Sequence, residues 1–251
     1  MTKKQKDQII FGIHAVTEAL EAGRELEKVL IRGSRGTSGL LSELRSRLIA
    51  EKVPFQHVPV EKLNAITMKN HQGVIAYLPE IAYGEIEFIL PQLFESGRTP
   101  LVLVLDQVSD VRNFGAIART AECAGVDAIV VPYRGSARIT AEAVKTSAGA
   151  LHSIPVCRHP DLRQLLEYLK ESGLQVFAAT EKAEGSLYEA DFTVPAAVLM
   201  GAEDIGISPA LLPYVDHAIA IPQYGTIGSL NVSVAAGIII YEAVRQRLQN
   251  A

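Results

Sequence analysis

Five short apolar runs separated by helix-periodic stretches constrain the fold of this chain more than any other feature. Residues 101–105 (LVLVL), 128–131 (AIVV), 175–179 (QVFAA), 197–200 (AVLM) and 218–221 (AIAI) are nearly continuous in apolar character. Strands buried on both faces of a parallel sheet read this way, whereas a strand with one wet face alternates. Between the runs, 113–124, 141–148 and 162–171 carry apolar residues at helical spacing and are followed by Gly125, Gly149 and Gly173, which suit helix C-termini. A last helix is expected from about 229 to 248. Strands alternating with helices predict an α/β fold with a mostly parallel sheet covered on both faces.

Residues 9–80 read as a smaller α/β unit, with helices around 15–22 and 39–50 and strands at 29–31, 53–57 and 73–78. Its segment 32–39 (RGSRGTSG) is rich in Gly and Ser and contains Arg32 and Arg35; Arg45, Arg47 and Lys52 follow. Guanidinium groups and open backbone amides can contact phosphates. An ordinary surface loop beside a solvated helix face has the same composition. Pro79 and Pro100 bracket a short helix-like stretch, which predicts a linker at 81–97 between a domain at 1–80 and a second at 98–251.

Several classes fall away. No run of about 18 uncharged apolar residues occurs, so no membrane span is expected. The basic start MTKKQKDQII lacks a following apolar run and cleavage site, and a cytoplasmic location is expected. Cys123 and Cys157 have no metal-ligand spacing to each other or to histidine, so neither a disulfide nor a metal site is expected. His14, His57 and His71 read as structural, since nothing nearby pairs them as acid and base. The net charge of −4 argues against a polyanion partner only as an average, because residues 1–80 carry 12 basic and 9 acidic side chains, a net +3, and the remainder carries −7.

Three glycine-containing segments follow strands, where open α/β sheets place ligands. The first runs from Asp106 to Ala121 and contains Asn113, a candidate helix N-cap, Gly115, which permits a close approach, and Arg119 one turn further on. A guanidinium among Ile117, Ala118 and Ala121 is unusual, although a structural ion pair or a snorkelling side chain would also place it there. The second turns through Gly201 to Glu203 and Gly206, and the third is the loop from Ile221 to Asn231 (IPQYGTIGSLN) feeding the last helix. No Gly-x-Gly-x-x-Gly fingerprint, Walker A loop or Gly-x-Ser-x-Gly elbow occurs, so hydride and acyl transfer lose support.

Asn113-x-Gly115-x-x-x-Arg119, Gly201-x-Glu203 with Gly206-Ile207, and Ser229-Leu230-Asn231-Val232-Ser233 resemble, in order, the three motifs of the SpoU/TrmH family of RNA 2′-O-ribose methyltransferases. The resemblance spans nearly the whole chain, and 11–16 (FGIHAV) and 71–74 (HQGV) look like the family's amino-terminal RNA-recognition extension, similar to ribosomal protein L30. The amino-terminal extension and length look most like members that methylate a guanosine of 23S ribosomal RNA in the peptidyl-transferase P loop, while relatives act on tRNA or other rRNA sites. The resemblance implies a SPOUT domain with a deep trefoil knot, S-adenosylmethionine as cofactor and a homodimer with the active site completed across the interface. By motif, it also implies catalytic roles for Arg119, Asn113, Glu203, Ser229 and Asn231 and cofactor contacts from Thr180, Gly201, Ile221 and Leu230. RNA contacts are expected from Arg32, Arg35, Arg45, Arg47 and Arg112, with Arg134 and Arg138 near the active site. A non-catalytic RNA-binding scaffold of the same fold is the alternative, although none of the motif residues is missing.

Overall fold

The computed structural model describes residues 9–24, 26–33, 39–51, 53–137 and 139–249. The chain forms two compact units, Met1–Glu80 and Ile81–Ala251.

The first unit contains β1 (Ile9–Phe11), α1 (Ile13–Glu21), β2 (Lys28–Arg32), α2 (Gly39–Ala50), β3 (Phe55–Val58), α3 (Val60–Ile66) and β4 (Val74–Tyr77). Its sheet has the order β1-β4-β2-β3, with β2 and β3 parallel and β4 antiparallel to both of its neighbours. Alternation along β2 divides the core: Val29 and Ile31 meet Val16, Leu20, Leu41, Leu44 and Leu48 from α1 and α2, while Leu30 meets Leu63 of α3 and Ile75. Two segments singled out in the sequence are bonded to each other. The Ile13 N–H at the start of α1 donates to Gln72 Oε1 at 2.9 Å, and Gly12, at φ +95°, leaves space for that side chain. The buried His71 accepts the Gly73 N–H at Nδ1, 3.0 Å, and its Nε2 lies 2.9 Å from Asn64 Oδ1, so its ring ties the loop together.

The second unit contains α4 (Ile86–Glu95), β5 (Leu101–Leu105), α5 (Val111–Cys123), β6 (Ala128–Pro132), α6 (Ala141–Thr146), β7 (Val156–His159), α7 (Leu162–Glu171), β8 (Gln175–Ala179), β9 (Gly185–Ser186), β10 (Ala196–Met200), β11 (His217–Ala220) and α8 (Val232–Gln249). The seven strands form one sheet in the order β7-β6-β5-β10-β8-β11-β9, parallel at every pairing. Both faces are covered. Leu101, Leu103 and Leu105 point towards α5, α6 and α8, and Val102 and Val104 towards α4 and α7, which is why the run LVLVL contains no polar position. Each such side chain, removed fully from water, contributes about 1.5–3 kcal/mol.

Residues 81–97 are not the expected linker. They carry α4, whose Ile86 and Leu90 are buried in the core of the second unit, and Gly84 bridges to Cys157 beside β7. The strand β7 is not among the five apolar runs of the sequence, because Val156–His159 ends in Arg158 and His159. Arg158 lies over the Tyr83 ring, 3.7 Å from its centroid, and donates to its hydroxyl, so a polar strand end is accommodated at the sheet edge. Burial, with the carboxylates of Glu87 and Glu85 adding to it, pushes the Cys157 thiol up to about 12. Among the described residues no helix is long and apolar enough to cross a membrane, and no cluster of three His, Cys, Asp or Glu side chains could hold a metal ion.

Candidate active site

The strand order decides which loops meet. In an open α/β sheet, ligands bind beyond the carboxyl ends of the strands, where the connections change direction across the sheet. At β5 the chain proceeds to β6 and β7 on one side, while β10, β8 and β11 lie in that order on the other. The loops that follow β5, β10, β8 and β11 are therefore neighbours, although distant in sequence. The loops after β8, β10 and β11 enclose a cleft whose lining includes Thr180, Gly201, Glu203, Ile221, Ser229 and Leu230, over an apolar floor of Ala179, Met200, Ile219, Val232, Ala235 and Ile239.

The loop after β10 doubles back on itself. The Gly206 N–H donates to the Ala202 carbonyl at 2.9 Å, and a Cβ at Gly201 would lie 2.0 Å from the Gly206 carbonyl carbon and 2.2 Å from the Ile207 nitrogen. Only glycine allows the backbone to close this far. The closure is held from β5: the buried carboxylate of Asp106 accepts the Ser208 N–H at 2.7 Å, and Gln107 Nε2 donates to Ser208 Oγ at 2.7 Å.

This closure brings Glu203 to the other two motifs. Asn113 Nδ2 donates to Glu203 Oε2 at 3.1 Å, and Asn231 Nδ2 donates to Asn113 Oδ1 at 3.1 Å and to Glu203 Oε1 at 3.4 Å. One polar side chain from each motif thus enters a closed ring at the cleft. Asn231 also caps α8, its Oδ1 accepting from the Ser233 N–H at 3.0 Å and the Ser233 hydroxyl at 2.6 Å. Asn113, expected as the cap of α5, is not: Asp110 Oδ1 accepts the N–H groups of Arg112 and Asn113 at 2.9 and 2.8 Å. That leaves the Asn113 carboxamide to bond across to the other loops. Gly115 permits a close approach as expected, but of helix α6: a Cβ there would stand 2.8 Å from Thr146 Cβ and 3.0 Å from the Ala143 carbonyl oxygen.

Arg119 does not line the cleft. It is exposed on α5 and, among the described residues, has neither a hydrogen bond nor an ion pair, so no salt bridge accounts for it. Of the expected RNA contacts, Arg32 and Arg45 are exposed, Arg47 is exposed but paired with Glu21 at 2.7 Å, and Arg112 lies 3.5 Å from Glu142. Arg134 is exposed, and Arg35 and Arg138 fall outside the described residues. Asp106, Asp110, Gln107 and Ser208 organise the site without having been singled out. The N-cap signal at Asp110 was present in the sequence, whereas a partnership across 102 positions between Asp106 and Ser208 leaves no local pattern.

The lining is chemically selective. Among the described residues, Glu181 and Glu203 are the charged side chains of the lining, both carboxylates, so the cleft favours a cation. Among the described residues the backbone groups of Gln223, Ser229 and Leu230, which line the cleft, pair with no other backbone group, and this leaves them open to hydrogen-bond a ligand. The floor offers apolar surface to a flat ring.

Two family profiles match this chain: the SpoU rRNA Methylase family over residues 100–241, and RNA 2′-O ribose methyltransferase substrate binding over residues 9–84. The 23S rRNA (guanosine-2′-O-)-methyltransferase RlmB of Yersinia pestis is 37% identical over 246 residues, covering 96% of this chain and 98% of that protein. A Staphylococcus saprophyticus protein named as a TrmH family tRNA/rRNA methyltransferase is 34% identical over 95% of this chain and 96% of its own. Among solved structures, the SpoU methyltransferase AviRb of Streptomyces viridochromogenes in complex with the cofactor AdoMet superposes with a TM-score of 0.60 at 25% identity, over 96% of this chain and 90% of that one. The AdoMet-bound rRNA methyltransferase of Sinorhizobium meliloti gives a TM-score of 0.60 at 26% identity, over 97% and 90%.

Proposed function

The chain belongs to the SpoU rRNA methylase family, and from that premise we propose that it uses S-adenosylmethionine to methylate the ribose 2′-hydroxyl of a guanosine in 23S ribosomal RNA, in the peptidyl-transferase P loop, during ribosome biogenesis. The observation that carries the chemistry is the Asn113–Glu203–Asn231 ring at a cleft lined by Thr180, Gly201, Ile221 and Leu230. The ribosomal target is supported by the RlmB relative, which matches over nearly the full length of both chains, and by the substrate-binding match at 9–84.

The lining fits the cofactor. Its apolar floor suits the adenine, its open backbone wall suits the adenine edge and the amino-acid portion, and the carboxylates of Glu181 and Glu203 suit a sulfonium. When bound, S-adenosylmethionine supplies a methyl group already activated for attack. What remains for the protein is orientation and stabilisation of charge at the ribose oxygen. Glu203, fixed by two carboxamides, orders the loop after β10. Ser229 lines the cleft next to Asn231 and positions the ribose. Arg119 donates to the developing alkoxide and to the adjacent phosphate; a guanidinium with a pKa above about 12 is poorly suited to act as a base.

Arg119 stands outside the cleft of its own chain, so the proposal includes a homodimer in which it serves the partner's cleft. Val234 and Tyr241, exposed apolar positions on α8, are consistent with such an interface. The proposal retains the knot expected of the fold. It assigns RNA recognition to the first unit, through Arg32, Arg35, Arg45 and Arg47, and to Arg112 on α5. Incubation of the protein with methyl-labelled S-adenosylmethionine and either a 23S rRNA or a tRNA transcript tests the reading. Label on a ribose of the P-loop guanosine is expected; label on tRNA alone reassigns the substrate, and label on neither removes the activity.

A further inference from the structure

The loop between β11 and α8 presents an aromatic ring for which the fold has no use. Its two ends, Ile221 and Gln223 on one side and Ser229 and Leu230 on the other, line the cleft. Its centre does not: Tyr224 is 97% and Ile227 79% exposed. The Gln223 carboxamide lies 3.1 Å from the carbonyl oxygens of both Ile227 and Gly228, within reach of its nitrogen when that atom is turned towards them. Tyr224 follows directly on Gln223, which lines the cleft, so its exposed ring stands one residue from the cleft lining. Leaving a tyrosine almost wholly in water forgoes the burial that normally stabilises an aromatic side chain. The loop contains no Lys or Arg, so it is not built to grip phosphate.

We propose that Tyr224 is the stacking platform for the base of the nucleotide being methylated. The inference rests on the RNA methyltransferase reading above and adds a substrate-positioning residue to it. A ribose hydroxyl can enter the cleft only from a nucleotide displaced from its neighbours, and a displaced base is held by an aromatic face. Stacking is tolerant of base identity, so Tyr224 sets the position of the ribose and leaves recognition of the base to other groups.

The chain has no tryptophan, so Tyr224→Trp places a single reporter at this position. With a 23S rRNA transcript as probe, the tryptophan emission is expected to be quenched on binding, and single-turnover methyl transfer to persist. Tyr224→Phe keeps transfer close to wild type, and Tyr224→Ala loses about tenfold to a hundredfold; calorimetric affinity for S-adenosylmethionine stays unchanged in all three. Wild-type transfer in Tyr224→Ala, or unquenched tryptophan in a variant saturated with RNA, overturns the platform. A Tyr224→Ala protein that loses transfer together with self-association assigns the ring to contact with a second copy instead. If the wild-type protein methylates no RNA, the functional reading fails and the platform fails with it.

Discussion

Asn231 uses Oδ1 to cap α8 and Nδ2 to join Glu203 and Asn113, so the start of the helix and the polar ring are set by one carboxamide. The two roles can be separated. Asp caps helices about as well as Asn, yet Asn231→Asp would place a second carboxylate beside Glu203, where like charges repel. The variant is expected to melt within about 1 kcal/mol of wild type while its S-adenosylmethionine affinity and methyl transfer fall; an unchanged transfer rate would show that the ring does not order the site. Arg119→Lys keeps the positive charge but not the planar pair of donors. Cofactor affinity should be retained and transfer reduced at least about a hundredfold, measured by calorimetry and single-turnover assay. Near wild-type turnover would remove Arg119 from the chemistry. The residue types at these positions were legible in the sequence, and their connection was not. Asn113 read as a helix cap because Asx residues before an apolar helix usually are, but Asp110 three positions earlier takes that place. The latch between Asp106, Gln107 and Ser208 was invisible because its members are separated by about a hundred positions.

Helices α5 and α6 pack as closely as Gly115 allows. At Gly115 the α5 backbone meets α6 with no room for a side chain, so Gly115→Ala must separate the two helices or displace Thr146. Overpacking of this kind costs about 1–3 kcal/mol, to be seen as a lower melting temperature with wild-type binding of S-adenosylmethionine, since α6 does not line the cleft. A melting temperature equal to wild type would show that the contact relaxes freely. The apolar strands β5, β6, β8 and β10 are readable because burial on both faces leaves no polar alternation, and β11 because its run from Ala218 to Ile221 is apolar although His217 and Ala218 are exposed. β7 and β9 are not, the first because its end is polar and the second because it is only two residues long. The helix α4 reads as linker because prolines flank it and Pro91 stands inside it; its burial against Val102 and Val104 comes from tertiary packing that no local pattern records.

The charge split between the two units is the feature of the whole chain that bears most on function. A net +3 in residues 1–80 and −7 in the remainder fit a division in which one unit holds a polyanion and the other a cleft with carboxylate walls. Removing residues 1–80 leaves a unit with its own sheet and core. It is expected to bind S-adenosylmethionine as the full chain does and to lose methylation of long RNA; equal loss of both would contradict the division. The central claim, that this cleft methylates a ribose of 23S ribosomal RNA, is tested most directly by mapping 2′-O-methylation across the ribosomal RNA of a strain lacking the protein, with and without a restored copy. One P-loop guanosine is expected to lose its ribose methyl group, to regain it with the wild-type protein and not to regain it with Arg119→Lys. A methylation map of 23S ribosomal RNA that is the same with and without the protein would contradict it.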